Sequence, residues 1–184
     1  MYRRRIDIPK IYFQDIFCKP VTEENIDLGW LEWSKNTKVT SNLAGDVDTN
    51  TREDLKKYLN TLKTSQEETI LFLACYTSQK EYFGNLRIYK IGNNAISFGR
   101  LIGNSKLHGL GLGTKMSLLA LSLAFDYLNT DLVVVGNKKD NIASAKSKIK
   151  SGFLKAEKKL LDKEGISGLK DEEFYYLTKE KYLN

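Results

Sequence analysis

The sequence predicts a mixed α/β domain around one central sheet, and three observations carry that expectation. The strand-like segments "TILFLACYT", "YFGNLRIYKI" and "AISFGRLIG" follow one another with only the polar connectors "SQKE" and "GNN" between them. Such spacing is that of an antiparallel meander. A glycine segment and an apolar helical run from about Thr114 to Leu128 come next. "DLVVVG" then reads as a short continuous apolar strand, of the kind buried on both faces.

The remaining elements follow in order. "YFQDIFCKPV" reads as a strand ending at Pro20, which cannot extend a ladder. "TEENIDLGWLEWSKN" starts a helix, with Thr22 as cap and Glu23 and Glu24 at the positive end of the dipole. The polar loop "AGDVDTN" leads to "TREDLKKYLNTLKT", where Leu55, Tyr58, Leu59 and Leu62 recur at helical spacing. Thr51 and Asp54 form a capping-box-like pair at its start. "NIASAKSKIKSGF" is a short helix stopped by Gly152, and "FLKAEKKLL" is expected to pair with "EEFYYLT" as a last hairpin. No repeat or linker interrupts the 184 residues, which are expected to form a single domain over 1–184.

Composition narrows the function classes. "MYRRR" is basic enough to begin a secretory leader, but "IDIPKIYFQD" places charges and a proline where an apolar run is needed. "SLLALSLAF" is too short to span a bilayer. A cytoplasmic protein without a membrane partner is the expectation. Cys18 and Cys75 lie in apolar, strand-like contexts and are expected as buried free thiols. With one histidine, His108, and no cysteine pair at ligand spacing, no metal site is expected.

The formal charge is +6, and Lys138, Lys139, Lys146, Lys148, Lys150, Lys155, Lys158 and Lys159 crowd a region opposed only by Asp140 and Glu157. This is either a solvated surface or a landing site for a phosphorylated ligand. No nucleic-acid motif and no aromatic residues accompany these lysines, so nucleic acid is not expected as a partner.

"LHGLGLGTKM" places Gly109, Gly111 and Gly113 immediately before a strong helix, with Thr114 adding a hydroxyl. Helix N-termini offer unpaired N–H groups and partial positive charge, and glycines let an anion approach the backbone. A P-loop requires Gly-Lys-Ser/Thr four residues after a first glycine, whereas this segment has Gly-Thr-Lys. A Rossmann fingerprint requires G-x-G-x-x-G with an acidic residue ending the next strand. Here the spacing is G-x-G-x-G, and Asp131 begins its strand.

Four stretches in order resemble the GNAT superfamily of acyl-CoA-dependent N-acetyltransferases, over about Phe17 to Tyr176. "CKPVTEENIDLGWLEWSKNTKVTSNL" is similar to the opening strand and Trp-rich first helix of the branch with the ribosomal-protein N-terminal acetyltransferases and surface-sugar amine acetyltransferases. "FGNLRIYKI" is like its third strand, "SFGRLIGNSKLHGLGLGTKM" like its acetyl-CoA segment, and "NIASAKSKIKSGF" like its Asn-x-x-Ser helix ending in Gly-Phe.

The resemblance implies a mostly antiparallel mixed sheet with helices on both faces. It further implies acetyl-CoA as co-substrate, its pyrophosphate cradled by His108, Gly109, Leu110, Gly111, Leu112, Gly113 and Thr114. The pantetheine arm would add along Arg100, Leu101 and Ile102, with Asn141 facing the pantetheine or thioester and Ser144 on the same helix. Seven residues after Asn141, where many members carry a proton-donating tyrosine, stands Lys148. Ser97 occupies the place of a glutamate that often relays the amine's proton, so Ser97 and Asn141 are the catalytic candidates, with Lys148 at the tyrosine's position. His108 replaces the family's Gln, Arg or Trp and is expected to position phosphates.

Asp46, Asp48, Glu67 and Glu81 lie in loops that could border a substrate cleft, and nothing ranks them. Trp33 (with Trp30) and Tyr175 (with Tyr176) are candidate walls of the acceptor site. Acetyl transfer to a small-molecule amine, such as a nucleotide-linked amino sugar, is the implied function. The alternatives are peptide N-terminal acetylation and a non-catalytic acyl-CoA-binding module. Homodimers are common in the family, and a homodimer is compatible with this chain.

Overall fold

The computed structural model describes residues 10–40, 51–64, 69–167 and 171–184. One sheet of eight strands runs in the order β1-β2-β3-β4-β5-β6-β8-β7. The strands are β1 (Ile11–Phe13), β2 (Ile16–Pro20), β3 (Thr69–Thr77), β4 (Tyr82–Ile91), β5 (Ala95–Ile102), β6 (Leu132–Lys138), β7 (Leu154–Lys155) and β8 (Glu172–Thr178). Every neighbouring pair is antiparallel except β5 and β6. The expected meander is β3–β4–β5, and the glycine segment follows it.

Among the described residues, seven α-helices pack around this sheet: α1 (Leu31–Lys35), α2 (Thr37–Thr40), α3 (Arg52–Thr64), α4 (Leu112–Ser122), α5 (Ile142–Lys150), α6 (Lys158–Glu164) and α7 (Lys179–Leu183). A π-turn, Ile26–Trp30, leads into α1, and another, Leu123–Tyr127, prolongs α4. The expected capping box of α3 is present. Asp54 N donates to Thr51 Oγ1 at 3.1 Å, and Thr51 N donates back to Asp54 Oδ2 at 3.2 Å.

Alternation along β5 and β6 divides the core into two faces. Ile96, Phe98, Val133 and Val135 join one cluster with Met116, Leu119 and Phe125 of the α4 segment. This is the back face, and the long apolar helix is buried against it. Leu101 packs on the front face against Trp30, Trp33, Leu55 and Leu59 from the α1 and α3 region. Also on the front face, Ala95 and Val134 join Ile166 and Phe174 in a separate cluster that Leu161 of α6 covers.

Two expectations change at the ends of the chain. The first strand is a hairpin, because the polar pair Gln14–Asp15 interrupts the apolar run. Phe13 faces Ile16, Gln14 takes φ 52°, and Asp15 pairs with Lys115 at 2.6 Å. The last hairpin keeps only Leu154 and Lys155 against β8, since "KKLLDKE" folds as α6. Lys, Leu and Glu favour that helix, and a Schellman turn closes it. Ile166 N donates to Leu161 O at 2.9 Å, and Gly165 N to Asp162 O at 3.1 Å, with Gly165 at φ 66°.

Cys18 and Cys75 are opposite each other on β2 and β3, fully buried as free thiols, with their sulfurs 2.7 Å apart. Burial pushes the Cys75 thiol up, and the Cys18 contact adds to the shift. Among the described residues, no helix is long and apolar enough to cross a membrane.

Candidate functional site

The site grows from a gap in the sheet. β5 and β6 pair in parallel at Ile96↔Val133 and then diverge. β5 keeps its pairing to β4 as far as Gly84↔Ile102, and β6 keeps its pairing to β8 as far as Lys138↔Glu172. Past Ile96, the edge of β5 that faces β6 therefore has no strand partner among the described residues. Such an internal edge accepts an extended chain with its own amide groups.

Side chains touch both banks of this gap. The His108 ring places Nε2 2.9 Å from the carbonyl oxygen of Ile102. Opposite, the Lys148 ammonium donates to the carbonyl oxygen of Gly136 at 2.9 Å and also to Asn137 Oδ1.

At the end of β5 the chain passes through Asn104, whose side chain caps the short turn Ser105–Leu107, and enters the glycines. Gly109 and Gly111 take φ 83° and 76°, which side chains with a Cβ rarely adopt. Both are exposed, and a Cβ at either would meet nothing within 4 Å. The N–H groups of Gly109, Leu110, Gly111, Leu112 and Gly113 have no hydrogen-bond partner among the described residues, and helical bonding resumes with Thr114 N to Gly111 O. Five free donors at the positive end of α4 form an anion cradle. The residues fit the diphosphate of a CoA ester, which needs bare N–H groups and no side chain in the way.

Arg100 lies beneath this cradle. Its Nε is 3.6 Å from where a Cβ of Gly113 would be, and its Nη1 donates to Ser117 Oγ one turn into α4. Burial lowers its pKa to about 10. Thr114 Oγ1 lies 3.2 Å from Ser147 Oγ, which ties the start of α4 to α5. Asn141 is the N-cap of α5, its Oδ1 accepting from Ser144 N at 3.1 Å.

Lys148 departs from the lysine surface to which its sequence neighbourhood assigns it. Lys138, Lys139, Lys146, Lys150, Lys155, Lys158 and Lys159 are exposed, but Lys148 is only 3 % exposed. The seventh position of this helix points at the sheet, so the side chain has nowhere to go but the β6 edge. Burial, together with the charge of Arg100, lowers its pKa to about 7, and Glu172 opposes the shift.

The other candidates fall on different faces. Ser97 is fully buried on the front face, its Oγ without a partner among the described residues. Trp33 is also on the front face, at 8 % exposure, against Tyr82 with ring centroids 4.5 Å apart. Tyr175 lies on the back face, 5 % exposed, its ring 5.5 Å from the Lys148 ammonium and its hydroxyl bonded to Glu173. The structure thus brings Tyr175 to Lys148 and not to Trp33. Asp46, Asp48 and Glu67 lie outside the described residues, and Glu81 is exposed and accepts from Asn104 Nδ2 at 2.7 Å.

Sequence reasoning passes over the side chain of Arg100, named there only for its backbone, and the buried pair Tyr82–Asn85, joined at 2.7 Å. The available signal is an arginine and an asparagine at inward positions of apolar strands. Among the described residues no group of three His, Cys, Asp or Glu side chains could hold a metal ion.

Residues 16–154 match the family model for the acetyltransferase (GNAT) domain. No curated protein matches the sequence significantly. Among solved structures, the chain is similar to a spermidine N-acetyltransferase from Vibrio cholerae in complex with CoA and spermine, at 17 % identity and a TM-score of 0.73, over 93 % of this chain and 99 % of that one. It is also similar to a GNAT-family acetyltransferase from Bacillus anthracis, at 14 % identity and TM-score 0.73, over 94 % and 99 % of the two chains. A GCN5-related N-acetyltransferase from Brucella melitensis matches at 15 % identity and TM-score 0.71, over 95 % and 80 %.

Proposed function

The chain belongs to the GNAT acetyltransferase family, and from that membership we propose that it moves an acetyl group from acetyl-CoA to the primary amine of a small molecule. A nucleotide-linked amino sugar is the acceptor we favour, and the cytoplasm is the compartment that suits acetyl-CoA. The observation that carries the reading is the run of five free N–H groups, Gly109 to Gly113, beside the unpaired edge of β5. CoA supplies an activated thioester when bound. The N–H groups of Gly109 to Gly113 hold the diphosphate, and the edge of Arg100, Leu101 and Ile102 pairs with the amides of the pantetheine arm. The backbone N–H groups along this edge polarise the carbonyl, and attack by the amine is direct.

Two proton movements remain for the side chains. The attacking amine must be neutral, and Ser97 Oγ, buried with spare hydrogen-bonding capacity, holds the first station on the route of its proton. Lys148, at the β6 bank of the gap, gives a proton to the departing thiolate. A lysine whose pKa is about 7 is a far better donor than an ordinary one.

The test is CoA-thiol release from acetyl-CoA across nucleotide amino sugars, polyamines, amino acids and basic peptides. Saturable release with a small amine supports the reading. Release with peptides alone would transfer the proposal to N-terminal acetylation, and tight CoA binding without release would mark a binding module.

A further inference from the structure

The two apolar clusters of the front face do not meet. One lies under α1 and α3 and reaches Leu101, and the other includes Ala95 and lies under α6. Between them, the front-facing positions of β5 are Ser97 and Gly99. Gly99 is exposed, and a Cβ there would meet nothing within 4 Å, so the sheet is open at this point. Directly across on β4 stands Arg87, with Asn85 and Tyr89 on the diagonals. The opening lies beside the point where β5 leaves β6.

Two buried side-chain atoms here lack hydrogen-bond partners among the described residues, Asn85 Nδ2 and Ser97 Oγ. Asn85 is 5 % exposed, and its Oδ1 is already taken by the Tyr82 hydroxyl at 2.7 Å. Its unsatisfied atom is therefore a donor, which needs an acceptor lone pair, and an anionic oxygen is the strongest acceptor available to it. Buried polar groups are nearly always paired, so one left open beside a cleft marks a place where a ligand completes the bond. Charge points the same way. β4, β5 and β6 contain no acidic residue, while Arg87 faces the opening with its guanidinium carbon 5.0 Å from the Tyr89 ring centroid. The ammonium groups of a polyamine carry no lone pair to offer Asn85.

We propose that the acceptor is an amine that also carries an oxygen anion, a carboxylate or a phosphate, with Asn85 Nδ2 donating to that anion beside Arg87 and Ser97 Oγ bonding the amine nitrogen. The inference rests on the acetyltransferase reading and specifies the substrate class of that site. A site with a buried donor rejects analogues that lack its partner by factors far larger than an apolar pocket achieves.

Two matched pairs of amines test it, each differing by one anion: ornithine against putrescine, and glucosamine 6-phosphate against glucosamine. Binding is measured calorimetrically to the full chain saturated with CoA, so that no turnover is needed. In at least one pair the anionic member binds ten-fold or more tightly, and Asn85→Leu removes that difference while the CoA affinity stays unchanged. Asn85→Asp, close in shape and so able to fold where Leu does not, shifts preference toward putrescine. Equal or weaker binding of both anionic members, or no binding by any of the four, overturns the proposal. So does a preference that survives both Asn85 variants. Failure of the transfer reading is a separate result: the anionic amine binds as expected, yet no CoA thiol is released from acetyl-CoA.

Discussion

Trp33 lies flat against Gly103. A methyl group on Gly103 would come within 1.8 Å of Trp33 Cδ2, so the indole of α1 occupies the space that any other residue would need at the exit of β5. The contact joins the front-face helices to the turn that leads into the glycine cradle. Gly103→Ala is expected to lose about 1–3 kcal/mol of stability through overpacking. Pairing it with Trp33→Leu recovers part of that loss, a coupling that urea melts of the four proteins in a double-mutant cycle will measure.

Gly111 makes a different demand. Its surroundings are empty, so Gly111→Ala meets no steric barrier from neighbours, but φ 76° penalises the Cβ by about 1 kcal/mol. The larger effect is expected on ligand: CoA affinity, measured calorimetrically, falls by about ten-fold or more as the loop leaves the conformation that aims its N–H groups. A variant that loses stability while binding CoA normally would separate the loop from the cradle.

Lys148 is expected to link stability and rate to pH with opposite signs. Its pKa is about 7 in the folded chain and 10.5 in the unfolded one, so the unfolded chain binds more protons between those values. Stability therefore rises with pH across that window, and Lys148→Met removes the rise. Urea midpoints at pH 6.5 and 9.5 read it directly. In the proposed reaction Lys148 gives its proton to the thiolate only in the charged form, so kcat is expected to fall as pH rises through about 7. Loss of the donor in Lys148→Met costs about 10²- to 10⁴-fold in kcat at pH 7.

Cys18 and Cys75 are expected to resist aromatic disulfide reagents in the native protein and to react fully in denaturant. Burial denies the reagent access, and it raises the pKa of the Cys75 thiol, which keeps the nucleophilic thiolate scarce. Rapid modification without denaturant would show that β2 and β3 open readily.

Where local chemistry determined structure, the sequence was readable. Thr51 and Asp54 announce their capping box, Gly152 stops α5 with φ 88°, and "AISFGRLI" reads as the third strand of a meander. Errors arose where polar residues had two uses. Gln14 and Asp15 are two adjacent polar residues inside one apolar run and make a turn, and "KKLLDKE" carries no strand alternation yet sat beside a segment that needed a partner. The site divides in the same way. Its glycines are legible because an anion cradle needs no side chains. The burial of Lys148 is not legible, because the charge that marks a surface residue in the sequence is here enclosed by the α5–β6 contact. Asn85 is hidden for the same reason: only three dimensions reveal that Tyr82 has taken its oxygen and left its nitrogen.

The divergence of β5 from β6 after Ile96 leaves a sheet with an edge in its middle. Ordinary edges lie on the rim, where another protein's strand can zip onto them, and chains guard against that with charges and short strands. An edge enclosed on both sides needs no such guard. On the proposed reading the pantetheine arm enters as a single amide-bearing thread and pairs with that edge as a strand would. The divergence of two strands then sets the extended shape of that ligand before any side chain reads its chemistry.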